Sequence, residues 1–217
     1  MPHAPVPEQS HGRAAPSELD ALVARTEGPQ WWRKAFHATN ATLIATAVAL
    51  LEWPDRVLVL ALGGVVALLF AVDLVRLANP GVNELFFRAF GRLASPREAH
   101  GIASSTWYGL GILLAVALFP RAEAVAGILV LGFADPAAAF IGRTLGKHPF
   151  LGGTLEGSAA FFLTSAAVLA FQFTWPAVLV AALAAALAER RSWPLDDNLT
   201  VPVVCAGALF GMGFLLG

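Results

Sequence analysis

Residues 56–78 read RVLVLALGGVVALLFAVDLVRLA, and between Arg56 and Asp73 no charge and no proline interrupts the run. A helix needs ~20 apolar residues to cross ~30 Å of hydrocarbon, and this stretch supplies them. The apolarity is continuous rather than alternating, so a helix is expected rather than a barrel strand. The rest of the chain is of the same kind. Hydrophobic residues make up 57% of the 217 and charged residues 13%, where a soluble domain has about 45–50% and about 25%. Mean hydropathy is +0.67. So little charge cannot cover a water-facing surface, and the formal net charge of -1 lacks the basic balance of a nucleic-acid binder. Composition therefore excludes a soluble enzyme, a disordered chain and a nucleic-acid partner. The single cysteine, Cys205, lies in an apolar run; it excludes a disulfide framework and a multi-cysteine metal site.

Working outward, seven apolar stretches stand at about 36–53, 56–78, 104–119, 122–141, 157–174, 176–190 and 200–217. They are rich in Ala, Gly, Ser and Thr, which allow close helix–helix approach. The expected fold class is all-α, a polytopic membrane protein of about seven transmembrane helices. Residues 1–30 carry five prolines, scattered charges and no apolar run. They read as a flexible cytoplasmic tail without a cleavable signal, with a short helix over Ser17–Thr26 capped by Ser17. Residues 31–217 form the transmembrane domain. With the N-terminus in the cytoplasm, twelve of the fourteen Lys and Arg fall inside and only Arg56 and Arg121 outside, as cation placement favours. The longer polar segments, 79–103, 142–156 and 191–199, then share the cytoplasmic face.

Charge inside a membrane is expensive and marks function or a partner. Asp73 and Arg76 are three residues apart, so they share a helix face and can pair, either as an interfacial anchor or in a site. Asp135 stands in an otherwise apolar helix, just before Pro136. Such a carboxylate needs a cation, a hydrogen-bond donor or a proton. The loop that follows alternates glycines and cations: Gly142, Arg143, Gly146, Lys147, then Gly152, Gly153, Thr154, Glu156, Gly157 and Ser158. Glycines allow backbone N–H groups to approach an anion, and Arg143 and Lys147 can hold phosphate oxygens. The same residues also suit a merely positive-inside loop. Asp196, Asp197 and Asn198 precede the last stretch; paired carboxylates with an amide suit Mg²⁺, and Asp197 or Asn198 can equally cap a helix. Glu189 is close enough in sequence to join them. Lys34, His37 and His100 face the same side.

These residues also carry a resemblance. Arg33-Lys34-Ala-Phe-His37, the run from Ala134-Asp135 to Gly146-Lys147-His148, Thr154-Leu-Glu156-Gly157-Ser158, and Asp197-Asn198-Leu199-Thr200-Val-Pro202 occur in that order. Together they resemble the dolichol kinase, phytol kinase and CTP-dependent diacylglycerol kinase family over nearly the whole membrane domain. The resemblance implies a catalytic membrane domain that moves the γ-phosphate of CTP, or another nucleotide, onto a membrane lipid alcohol with Mg²⁺ or another divalent ion. It implies Asp135, Glu156 and Asp197 as catalytic residues, Asp135 and Asp197 as metal ligands, and Arg143, Gly146, Lys147, Thr154, Gly157, Ser158 and Asn198 as the nucleotide site. Lys34, His37, Asp73, Arg76, His100, Glu189 and Asp196 are further candidates. The setting expected is a prokaryotic cytoplasmic membrane, with the site on its inner face. Two positions depart from the family: Gly153 stands where Lys is frequent, leaving Lys147 or Arg143 to take its part, and Ala134 where Gly is common. The alternatives are a CTP-dependent cytidylyltransferase and a non-catalytic transporter or lipid-binding protein. Polar groups gathered at one face, with no repeated halves, count against transport.

Overall fold

The structure, a computed structural model, describes residues 17–28, 31–191 and 195–216. Among these the chain is all-α apart from one minimal hairpin. The helices are α1 (Glu18–Ala24), α2 (Trp31–Leu50), α3 (Asp55–Ala78), α4 (Pro80–Phe90), α5 (Ser104–Leu118), α6 (Arg121–Thr144), α7 (Leu155–Leu169), α8 (Trp175–Arg190) and α9 (Asp197–Leu216). A 3₁₀ turn covers Pro96–Ala99, and the strands β1 (Pro149–Phe150) and β2 (Gly153–Thr154) pair antiparallel.

Each of the seven apolar stretches holds a helix. Three of these, α3, α6 and α9, are long and apolar enough to cross a membrane, and α5 and α7 are shorter apolar helices. The α1 helix is capped as its sequence predicts: Ser17 Oγ accepts from the Asp20 N–H at 3.1 Å while the Asp20 carboxylate receives the Ser17 N–H. Residues 1–16 of the expected tail lie outside the described residues.

The bundle is built on α6. It packs against α2, α5, α7 and α9, while α9 in turn touches α5 and α8. α3 lies to the outside, on α5 and α4, and little of its apolar face is covered. The seat of α9 is set by two glycines. A Cβ on Gly111 of α5 would stand 2.3 Å from the Asn198 carbonyl oxygen, and one on Gly127 of α6 would stand 2.5 Å from that of Pro202. Both distances are far inside van der Waals contact, so any side chain there would push the start of α9 out of place. The fold thus fixes the Asp197–Asn198 turn through bare backbone.

Segment 79–103, read as a polar connection, contains α4 instead. Asn79 caps it by accepting from the N–H groups of Gly81 and Val82 at 3.0 and 3.4 Å, and Pro80 opens its first turn. The Asp73–Arg76 pair is not an interfacial anchor. Both residues are buried, and the guanidinium makes four hydrogen bonds. Nε donates to Asp73 at 2.6 Å, Nη1 to Asn83 Oδ1 at 3.0 Å and the Glu98 carbonyl at 2.7 Å, and Nη2 to the Gly101 carbonyl at 2.6 Å. Phe86 covers it, with ring centroid 4.6 Å away. The other Asp73 oxygen accepts from the Ala103 N–H and the Thr106 hydroxyl. One buried ion pair therefore ties α3 to α4, the 3₁₀ turn and α5.

Candidate active site

A polar cavity of about 450 Å³ opens where the ends of α2, α6 and α8 meet the start of α9 and the hairpin. Its wall is strongly charged. Lys34 and Arg33 come from α2, Asp135 and Arg143 from α6, Glu189 and Arg190 from α8, and Asp196, Asp197 and Asn198 from the α9 junction. Two of these residues form an ion pair. Lys34 Nζ donates to both Asp135 oxygens at 2.5 Å, across 101 residues of sequence. The Lys34 and Asp135 side chains are 22% and 12% exposed, so the pair is shielded but reachable from the cavity. Asp135 thus meets the requirement of a buried carboxylate with a cation. Pro136 lacks the N–H that would bond to the Gly132 carbonyl one turn back, yet α6 continues to Thr144.

The α9 turn is organised by Asp196, not by Asp197 or Asn198. Asp196 Oδ1 accepts from the Asn198 backbone N–H at 3.0 Å and from its side-chain amide at 2.6 Å. Its carbonyl accepts from Leu199 and Thr200. Asp196 is therefore the cap, and Pro202 sits inside the helix rather than in its first turn. Asp197 receives one long bond, from Asn198 Nδ2 at 3.2 Å. Of the two carboxylates, that of Asp197 is the less engaged by the fold.

The glycine loop packs where α6 meets α7. Glycines 142, 146 and 157 crowd around Thr154: a Cβ on Gly146 would meet the Gly142 carbonyl oxygen at 2.2 Å and the Thr154 hydroxyl at 2.8 Å. They allow α6 and α7 to close on one another. Thr154 caps α7 by accepting from the Gly157 N–H at 3.1 Å, and the Ser158 hydroxyl donates back to the Thr154 carbonyl. Glu156 holds the loop, taking the His148 backbone N–H at 3.3 Å and standing 2.6 Å from its Nδ1. Lys147 is exposed beside it. None of Gly146, Lys147, Thr154, Glu156, Gly157 or Ser158 lines the cavity; the hairpin reaches it through Leu151 and Gly152. Arg143 does line it, with its guanidinium 5.8 Å from the Trp31 ring. His100 is exposed after the 3₁₀ turn. His37 is buried with its ring 4.9 Å from that of Tyr108.

A second cavity, of about 380 Å³, adjoins the first. Phe36, Leu69, Val72, Phe86, Phe90 and Leu93 make it apolar, and it shares Arg33, Glu98 and Ser104 with the polar cavity. Arg33 and Glu98 stand 3.8 Å apart in the shared wall.

Among the described residues, no three His, Cys, Asp or Glu side chains cluster closely enough to hold a metal by themselves. Mg²⁺ does not require that, since it commonly takes one or two carboxylates beside phosphate oxygens and water. Five carboxylates, those of Glu98, Asp135, Glu189, Asp196 and Asp197, and the Asn198 amide around one cavity are a donor set that fits such an ion.

No family model and no solved structure matches the chain. Three curated proteins named "CTP-dependent diacylglycerol kinase 1" do. That of Schizosaccharomyces pombe is 28% identical over 162 residues, covering 65% of this chain and 74% of its own. That of Saccharomyces cerevisiae is 35% identical over 79 residues, 36% of this chain and 27% of its own. That of Eremothecium gossypii is 31% identical over 115 residues, 52% of this chain and 36% of its own. The matches thus span about three quarters of the first relative and no more than about a third of the other two. Homologues of that name at 28–35% identity support the resemblance to a lipid-kinase family that the motifs carry.

Proposed function

We propose that this chain phosphorylates a membrane lipid alcohol, with CTP as donor and diacylglycerol as the first acceptor to test. The observation that carries the reading is the pair of adjoining cavities, one ringed by charge and one by apolar side chains, with Arg33, Glu98 and Ser104 in both. A nucleotide triphosphate suits the first and a lipid tail the second, so the hydroxyl of the lipid would meet the phosphate at the shared wall. Phosphoryl transfer asks little covalent chemistry of a protein; it asks for alignment and for charge stabilisation. Lys34 and Arg143 supply cations, and Asp135, paired with Lys34 in the cavity wall, can orient the hydroxyl and take its proton. Mg²⁺, when bound, would neutralise phosphate charge, and Asp197, less engaged by the fold than Asp196, would hold it. The split of Lys and Arg between the two faces favours a cytoplasmic opening.

Purified protein in mixed micelles with diacylglycerol is expected to move label from γ-labelled CTP into lipid. Movement from α-labelled CTP would instead indicate a cytidylyltransferase, and no transfer to diacylglycerol, phytol or polyprenols would refute the kinase. Asp197→Asn is expected to lower turnover at least a hundredfold, about 3 kcal/mol of transition-state stabilisation. Asp196→Asn should cost less turnover, because an amide oxygen still caps α9. Equal near-normal rates in the two variants would reduce the pair to a helix cap.

A further inference from the structure

Gly153 in β2 has no positive φ and makes no turn; that task falls to Leu151 and Gly152, at φ +44° and +79°. What sets Gly153 apart is the atom against it. A Cβ built there would stand 1.8 Å from Arg190 Nη1, 2.7 Å from Cζ and 3.2 Å from Nη2. The guanidinium at the end of α8 therefore lies on the face of the hairpin where any L residue would carry its side chain. It is 14% exposed and lines the polar cavity beside Lys34, Arg143 and Asp197. Its Nε stands 2.7 Å from Glu189 Oε2. The two form an ion pair, yet neither atom has a hydrogen bond among the described residues. A buried polar group in that state calls for an explanation.

A guanidinium is a rigid fork of donors that matches phosphate with two parallel bonds. Held against the backbone, it loses little freedom when such a ligand binds. We infer that Arg190 binds the phosphates of the nucleotide, and that Gly153 is kept bare to seat it. This rests on the nucleotide-dependent reading above and adds a residue to it. A consequence is that Gly153→Ala should move the guanidinium without unfolding the protein, because the atom that a Cβ meets is the far end of a flexible side chain.

The test uses the full chain in detergent and measures binding of labelled CTP and of inorganic tripolyphosphate by equilibrium dialysis, with thermal unfolding alongside. Arg190→Gln is expected to weaken both ligands about tenfold or more, the loss of one charge-assisted contact, and Arg190→Lys to recover part of it. Gly153→Ala should weaken both ligands with an unchanged melting temperature. The double variant should bind no worse than Arg190→Gln, since both changes remove one contact. Unchanged binding in Gly153→Ala, losses that add in the double variant, or wild-type protein that binds neither ligand would each overturn the inference. A fall in melting temperature without a change in binding would make Arg190 a clamp for the hairpin only. Protein that binds CTP through Arg190 but labels no lipid would refute the kinase and leave this inference standing.

Discussion

Asp135→Asn is expected to lower lipid phosphorylation at least a thousandfold, about 4 kcal/mol in the barrier, in a protein that still folds. The two side chains have nearly the same shape, and the carboxylate is bonded to Lys34 rather than to backbone. The substitution removes a negative charge from the wall of the polar cavity and leaves Lys34 without its counter-ion. Initial rates of γ-label transfer into diacylglycerol give the loss directly. Two further readouts identify the role. If the carboxylate helps to hold Mg²⁺, the ion concentration for half activity rises with the substitution. If it takes the hydroxyl proton, that concentration stays and the acidic limb of the pH–rate profile disappears. Lys34→Met should be as damaging to turnover, since it strands the Asp135 charge. Near-normal rates in Asp135→Asn would return the pair to the packing of α2 on α6.

Arg76→Met is the other large effect, and it concerns stability. The guanidinium feeds Asp73, Asn83 and two carbonyls, and of these acceptor residues Asp73, Asn83 and Glu98 are buried. Breaking a buried pair by removing one partner strands the other, at a cost of about 3–5 kcal/mol. Unfolding followed in detergent should show that loss. Arg76→Lys should recover little of it, because an ammonium cannot reach acceptors on three sides at once. A variant as stable as the wild type would mean that water enters the knot.

Much of this was legible in the sequence. Seven apolar stretches gave seven helices because hydrocarbon leaves the backbone no other partner. The spacing of Asp73 and Arg76 gave their pairing, and the isolation of Asp135 gave its need for a cation. What distance hid was the identity of that cation: Lys34 lies 101 residues away, and no periodicity links them. The glycines were legible as a cluster, but not the packing of Gly142, Gly146 and Gly157 around Thr154, since close helix approach and phosphate approach demand the same bare backbone. Helix α4 was signalled by Asn79-Pro80 and by phenylalanines at 86, 87 and 90. It passed as a polar connection because Asn83, Glu84 and Arg88 interrupt its apolar residues and Arg92, Arg97 and Glu98 follow it. Arg190 was counted with the inward-facing cations; only the missing side chain at 153, in three dimensions, sets it apart.

The uneven burial of the helices bears on how such a sequence can drift. Of α3, only Leu58, Val66, Asp73 and Arg76 are buried, whereas α6 buries half of its apolar window and α3 about a sixth. Positions such as Leu60, Leu68 and Leu74 face outward, where one oily side chain serves as well as another. Random substitution would therefore scramble most of α3 without penalty while leaving one stripe legible, and would find few neutral steps along α6. Between distant relatives, the record of common descent would survive in α6 and the turn that begins α9, and would fade first in α3.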